Sequence, residues 1–117
     1  MPHHAGHQEN EQMRKCIQVC TDCHHVCSQT QVYCLRMGGK HADSVHVGLL
    51  RNCAEICQTS ADFMLGGSDL QGRLRAACAE VCERCVQSCE KFSGDTQMMA
   101  CADACRRCAE SCRQMSS

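Results

Sequence analysis

Fifteen cysteines in 117 residues dominate the chemistry open to this chain. Twelve of them stand in three identical ladders with steps of four, three and four: Cys16, Cys20, Cys23 and Cys27; Cys78, Cys82, Cys85 and Cys89; Cys101, Cys105, Cys108 and Cys112. Cys34 continues the first ladder, and Cys53 and Cys57 form an i, i+4 pair between ladders. At about 100° per residue, four thiols so spaced fall on a helix stripe about 60° wide. That is the width of an a/d seam, so each ladder reads as a bundle seam written in sulfur instead of leucine.

Disulfides suit this pattern poorly. The count is odd, and thiols stacked along one helix face meet in a geometry that strains an S–S bond. The C-x2-C pairs Cys20/Cys23, Cys82/Cys85 and Cys105/Cys108 invite a thiol redox reading, but no βαβ unit surrounds them. An iron–sulfur cluster needs cysteines on a loop that wraps a compact core. These are strung along rods at steps of about 4.5–6 Å. Zinc needs four ligands per site, and the even ladder shows no division into fours; at most three complete sites can form without sharing. Cu(I) fits best, because it is soft and accepts low coordination, so one thiolate can bridge two ions. The expectation is multiple Cu(I) ions, roughly one per Cys, with each thiolate charge met by one cuprous charge. A filled core is then nearly neutral, and an empty one holds neutral thiols that pack as small hydrophobes. A zinc or general soft-metal buffer is the first alternative and a thiol redox protein the second. No Ser/His/Asp or paired-carboxylate constellation argues for an enzyme.

Thioethers suit the same soft ion. Met13, Met37, Met64, Met98 and Met115 extend cysteine-bearing faces at heptad-like steps. His46 lies on the second helix's stripe and His41 just before it, while His24 and His25 sit off the centre of the first ladder and read as edge histidines.

The elements that must position these groups are four helices over about residues 8–37, 44–65, 69–92 and 96–114. They follow a flexible tail over residues 1–7 that carries His3, His4 and His7. Gly38-Gly39, Gly66-Gly67 and Gly94 stop the first three helices. Asp43 or Ser44, a capping box from Ser68 to Gln71, and Asp95 start the others. Short loops make the helices antiparallel neighbours. The predicted fold is all-α, an up-down-up-down four-helix bundle with a cysteine-lined core. Its third helix carries Leu74, Cys78, Cys82, Cys85, Cys89 and Phe92 on one face. Leu49, Ile56 and Phe63 form a second apolar row, either an oligomer contact or flank packing. Gly48, inside a helix at a cost of about 1 kcal/mol, suggests a close backbone approach.

Antiparallel topology gathers Cys34, Met37, His41, His46 and Met98 at one mouth, with Met99 nearby. Met13, Met64, Met115 and Leu74 gather at the other. The first is favoured as copper's way in, since its donors strengthen inward, although Leu50 and Phe92 stand near the same end.

A net charge of −1 gives no footprint for nucleic acid or an anionic membrane. No apolar run is long enough to span a bilayer. Met1 to Lys15 shows neither a signal-like apolar stretch nor a twin Arg, so the chain is either cytoplasmic or already processed. An initiating Met followed by Pro favours the first.

From about residue 8 to 115, the repeated C-x3-C-x2-C-x3-C helices, the Cys53/Cys57 pair and the Met- and His-bearing ends resemble the four-helix-bundle copper storage proteins of bacteria. The resemblance implies many Cu(I) ions inside the bundle and a homotetramer, with a copper chaperone or cuproenzyme as exchange partner. That family has exported members with a twin-arginine signal and cytosolic members without one. This chain looks like the cytosolic branch, though helix two is sparse in Cys. On that resemblance all fifteen cysteines are metal ligands, with Met37, His41, His46, Met64, Met98, Met13 and Met115 as further candidates.

Overall fold

The computed structural model describes the backbone of residues 3–116 and the side chains of residues 11–115. Four helices form: α1 (His3–Met37), α2 (Ser44–Leu65), α3 (Gln71–Glu90) and α4 (Thr96–Ser116). A short 3-10 turn, Gly39–Ala42, joins the first two. Each helix packs on the next and α1 on α4, while the diagonal pairs stay apart among the described residues. This is the square up-down-up-down arrangement that short connections impose. The backbone of α1 is helical from His3, ahead of the expected residue 8. The side chains of the expected tail lie outside the described residues.

The turns show why the helices start where they do. Gly38 and Gly39, at φ +71° and +56°, take left-handed conformations that end α1. Asp43 caps α2, its Oδ2 accepting from the backbone N–H of Val45 and His46 at 3.1 and 3.2 Å. Ser68 does not form the expected capping box. Its Oγ accepts from Leu70 N–H at 3.1 Å, while the Gln71 amide turns back onto the Ser68 carbonyl at 3.0 Å. That local turn consumes Ser68–Leu70 and delays α3 to Gln71. At the far end α3 leaves helical geometry after Glu90 and turns through Gly94 at φ +85°.

The interior is a column of cysteine flanked by alanine. All fifteen cysteines are fully buried and free. Ala54, Ala61, Ala79, Ala102 and Ala109 are buried beside them, and such small side chains let the helices draw together. Leu50 and Met98 are the largest fully buried side chains. Ile17, Val26, Val47, Ile56, Val81 and Val86 pack only partly buried against the outside of the seam. Leu49 and Phe63 are half-buried as well. Gly48 departs from expectation, since a Cβ built there would meet nothing within 4 Å, so no backbone approaches it.

Candidate metal centre

Because the step of each ladder alternates between four and three, the ladder thiols share one helix face and meet thiols of other helices along the bundle interior. Cys16 and Cys20 of α1 lie 3.9 and 3.8 Å from Cys112 of α4. Cys20 lies 3.6 Å from Cys108, which lies 3.8 Å from both Cys57 and Cys78. Cys53 reaches Cys82 at 3.6 Å and Cys105 at 3.7 Å. Cys27 reaches Cys105 at 3.6 Å and Cys101 at 3.8 Å. Cys57 lies 3.7 Å from Cys82, so sulfur touches sulfur without a break from Cys16 to Cys101.

The thiols also gather into quartets, which the ladder did not reveal. Five groups of four have all their sulfurs within 4.8 Å of one another among the described residues. They overlap: Cys23, Cys27, Cys53, Cys57, Cys78, Cys82, Cys105 and Cys108 each belong to two groups. The grouping arises across helices, so no single-helix spacing shows it. The terminal thiols Cys16, Cys34 and Cys89 lie outside every quartet.

A thiolate in this column accepts S–H donations from its neighbours, while burial opposes its charge. Cys23 is drawn below the ordinary thiol value, first by Cys105 and then by Cys108 and Cys27. Cys27 is pushed above it, first by Cys101. At the edge of the column, burial is the first cause that pushes Cys34 up to about 11.

At one mouth the structure brings Cys34, His46 and Met98 together and leaves Met37 and His41 outside that contact. Cys34 Sγ lies 3.5 Å from His46 Nε2 and 3.5 Å from Met98 Sδ. The other imidazole nitrogen of His46 sits 2.7 Å from Ser88 Oγ, which fixes the ring. Burial is the main cause that lowers the pKa of His46. Met37 is 54% exposed and turned away from the seam. His41 lies a shell further out, its Nε2 donating to Asp95 Oδ2 at 2.9 Å. Tyr33 donates its hydroxyl to the same oxygen at 2.8 Å, and Met98 N–H donates to Asp95 Oδ1 at 3.1 Å. Burial works to raise the Asp95 pKa, but these donors together hold it below the usual value. Phe92 stacks between the two imidazoles, 4.2 Å from His41 and 4.8 Å from His46 by ring centroids. A cavity of about 580 Å³ opens outside His46, lined by Lys40, Asp43, Ser88 and Lys91 among others. His24 donates from Nδ1 to the Ala54 carbonyl at 2.8 Å, and His25 is exposed, so both stand outside the column.

At the opposite end Met64 is buried, while Met13 and Met115 are partly buried against the core. Arg75, not Leu74, is the buried residue one turn before Cys78.

Residues 9–117 match the family model described as copper storage protein. The chain is 42% identical to a Nitrosospira multiformis protein of known crystal structure, with a TM-score of 0.86 over 92% of this chain and 96% of that one. It is 35% identical to the Cu(I)-bound copper storage protein BsCsp3, with a TM-score of 0.85 over 91% of this chain and 99% of that one. The apo form of copper storage protein 3 from Bacillus subtilis superposes with a TM-score of 0.82. The uncharacterized cysteine-rich protein YhjQ of Bacillus subtilis strain 168 is 37% identical over 80 residues, 68% of this chain and 74% of that protein.

Proposed function

Since the chain belongs to the copper storage protein family, we propose that it carries Cu(I) as cargo along the whole thiol column, at roughly one ion per cysteine. The observation that carries this is the unbroken sulfur contact between Cys16 and Cys101, at 3.6–3.9 Å per step. Cu(I) is content with two or three soft ligands, so an ion can lie between any two neighbours and a thiolate can serve two ions. The Cu(I)-bound state of BsCsp3, whose fold is shared, supports the same cargo. The protein then buffers or detoxifies copper in the cytoplasm and catalyses no reaction. A chaperone or cuproenzyme exchanges copper with it at the His46 mouth, and four copies assemble as a homotetramer. Exposed apolar side chains such as Leu35 and Val45 support such an assembly.

One observation favours a second reading. Three quartets share no member: Cys20, Cys78, Cys108, Cys112; Cys23, Cys53, Cys57, Cys82; and Cys27, Cys85, Cys101, Cys105. Their shorter contacts match the edge of about 3.8 Å in a zinc tetrahedron with bonds of about 2.3 Å. Anaerobic titration of the reduced protein against a competing Cu(I) chelator separates the readings. Storage gives saturation near the fifteen thiols of the chain. Saturation at three or four metals favours the zinc buffer, and uptake of one or two ions favours a redox protein.

A further inference from the structure

The two ends of the thiol column are finished in different ways. At the His46 mouth the last groups beside Cys34 are neutral donors, an imidazole and a thioether. At the other end stand Cys16 and Cys112, 3.9 Å apart, with a buried cation on α3, which packs against α4, the helix of Cys112. Arg75 is only 8% exposed. Its Nη1 donates to Gln71 Oε1 at 2.7 Å, and its Nε has no partner among the described residues. It forms no ion pair with a carboxylate there. Ser60, fully buried three residues after Cys57, likewise leaves its hydroxyl unpartnered. Arg75 lies three residues before Cys78, and Cys57 and Cys78 touch at 3.6 Å. The two unpartnered polar groups therefore sit on adjacent helices at the same end. The charge of Arg75 is felt at Cys16, where it adds to a downward pull on the thiol set first by Cys112 and Cys20.

A guanidinium buried without a carboxylate partner at the end of the empty column destabilises the empty bundle. It becomes useful once copper is present. Inside the column each thiolate bridges two ions, and the charges cancel. In the last layer no further ion follows. Cys112 is shared with the layer inside it, but Cys16 has only one ion to meet its charge once its proton has left to solvent, so this end keeps an excess of negative charge. We propose that Arg75 is the built-in countercharge of a terminal two-thiolate Cu(I) site at Cys16 and Cys112, with the Ser60 hydroxyl as a further donor at that end. The same positive charge repels a cuprous ion leaving by this end, so exchange is confined to the His46 mouth.

The inference rests on the storage reading, and the test separates the two. Wild type, Arg75→Met and Arg75→Lys are titrated anaerobically with Cu(I) against a competing chelator, and their thermal unfolding is followed empty and loaded. Met keeps the length of the side chain without its charge, and Lys restores the charge. The expected result is that Arg75→Met leaves the empty protein as stable as wild type or more so, yet weakens about one copper equivalent by more than about tenfold, because a buried charge left without its partner loses more than one decade of binding. Arg75→Lys recovers most of that loss. Equal copper binding in wild type and Arg75→Met overturns the inference. So does an equal loss of stability in the empty and loaded forms, which marks a purely structural arginine. A wild type that saturates at three or four ions overturns the storage reading itself.

Discussion

His46 combines two tasks in one side chain. Ser88 holds one ring nitrogen at 2.7 Å, and the other faces Cys34 at 3.5 Å, with Met98 Sδ also 3.5 Å from that thiol. On the proposed entry at this mouth, an ion would pass from nitrogen and thioether to thiolate, from weaker to stronger soft ligands. His46→Ala combined with Met98→Leu is expected to slow Cu(I) loading and removal several-fold in stopped-flow mixing while leaving final capacity within about two ions of wild type. Unchanged rates would move the way in to the Met13, Met64 and Met115 end. His46 also has a pH signature. Burial lowers its pKa beneath the ordinary 6.5, so the unfolded chain takes up this proton first as pH falls. The stability that depends on neutral His46 is therefore complete above about 6.5 and lost below it. Melting temperatures of the empty protein between about pH 5 and 7 should fall less steeply in His46→Gln. Reading residues from sequence succeeded where the alternation of three and four was continued. From Cys101 a step of three gives Met98, and from Cys53 steps of three and four give Leu50 and His46, all buried. It failed at Arg75, because Leu74 looked like a core residue. The alternation demands a step of three back from Cys78, which lands on the arginine. Polarity outweighed phase in that reading.

At the scale of elements, the glycine pairs and Asp43 were legible because their conformational roles are local. Left-handed glycine and a side-chain oxygen over two N–H groups need no tertiary context. The start of α3 was not legible, since Ser68 and Gln71 fit both a capping box and the tighter turn that forms. The thiol quartets were invisible for a different reason: they depend on the relative height of four helices, which no single helix encodes. Gly48 gives a sharp test at this scale. With open space where its Cβ would stand, Gly48→Ala should raise the stability of the empty protein by about 0.8–1 kcal/mol in chemical denaturation. A loss of stability in place of that gain would show a neighbouring copy packed on this face of α2. Asp95 offers the opposite change. It caps α4 through Met98 N–H and ties Tyr33 and His41 to the same loop. Asp95→Ala removes a cap and two further bonds, and is expected to cost about 2–3 kcal/mol.

The whole molecule must stay folded both empty and full, and protons reconcile those states. An empty column with every thiol ionised would bury many like charges without counterions, so the column cannot shed all its protons. Burial is the first cause at Cys34, whose pKa rises from 9.0 to about 11. Cys89 also titrates above the ordinary value, with the Cys101 sulfur as first cause and burial adding to it. A thiol raised in the fold ionises first in the unfolded chain. Its contribution to stability is complete below about 9 and disappears as pH rises through the folded value. The melting temperature of the reduced, empty protein should therefore drop between about pH 9 and 11. Loading removes this dependence. Each copper that enters replaces a thiol proton with a cuprous charge, so filling in weak buffer should release about one proton per ion. A filled column has no thiol protons left to lose, and its melting temperature should stay level across the same alkaline range. Parallel decline of the empty and filled forms would mean that the column's thiols are not what alkaline pH attacks. Proton release well below one per copper would mean that copper enters a column already ionised, and the neutrality that lets one fold serve both states would have another origin.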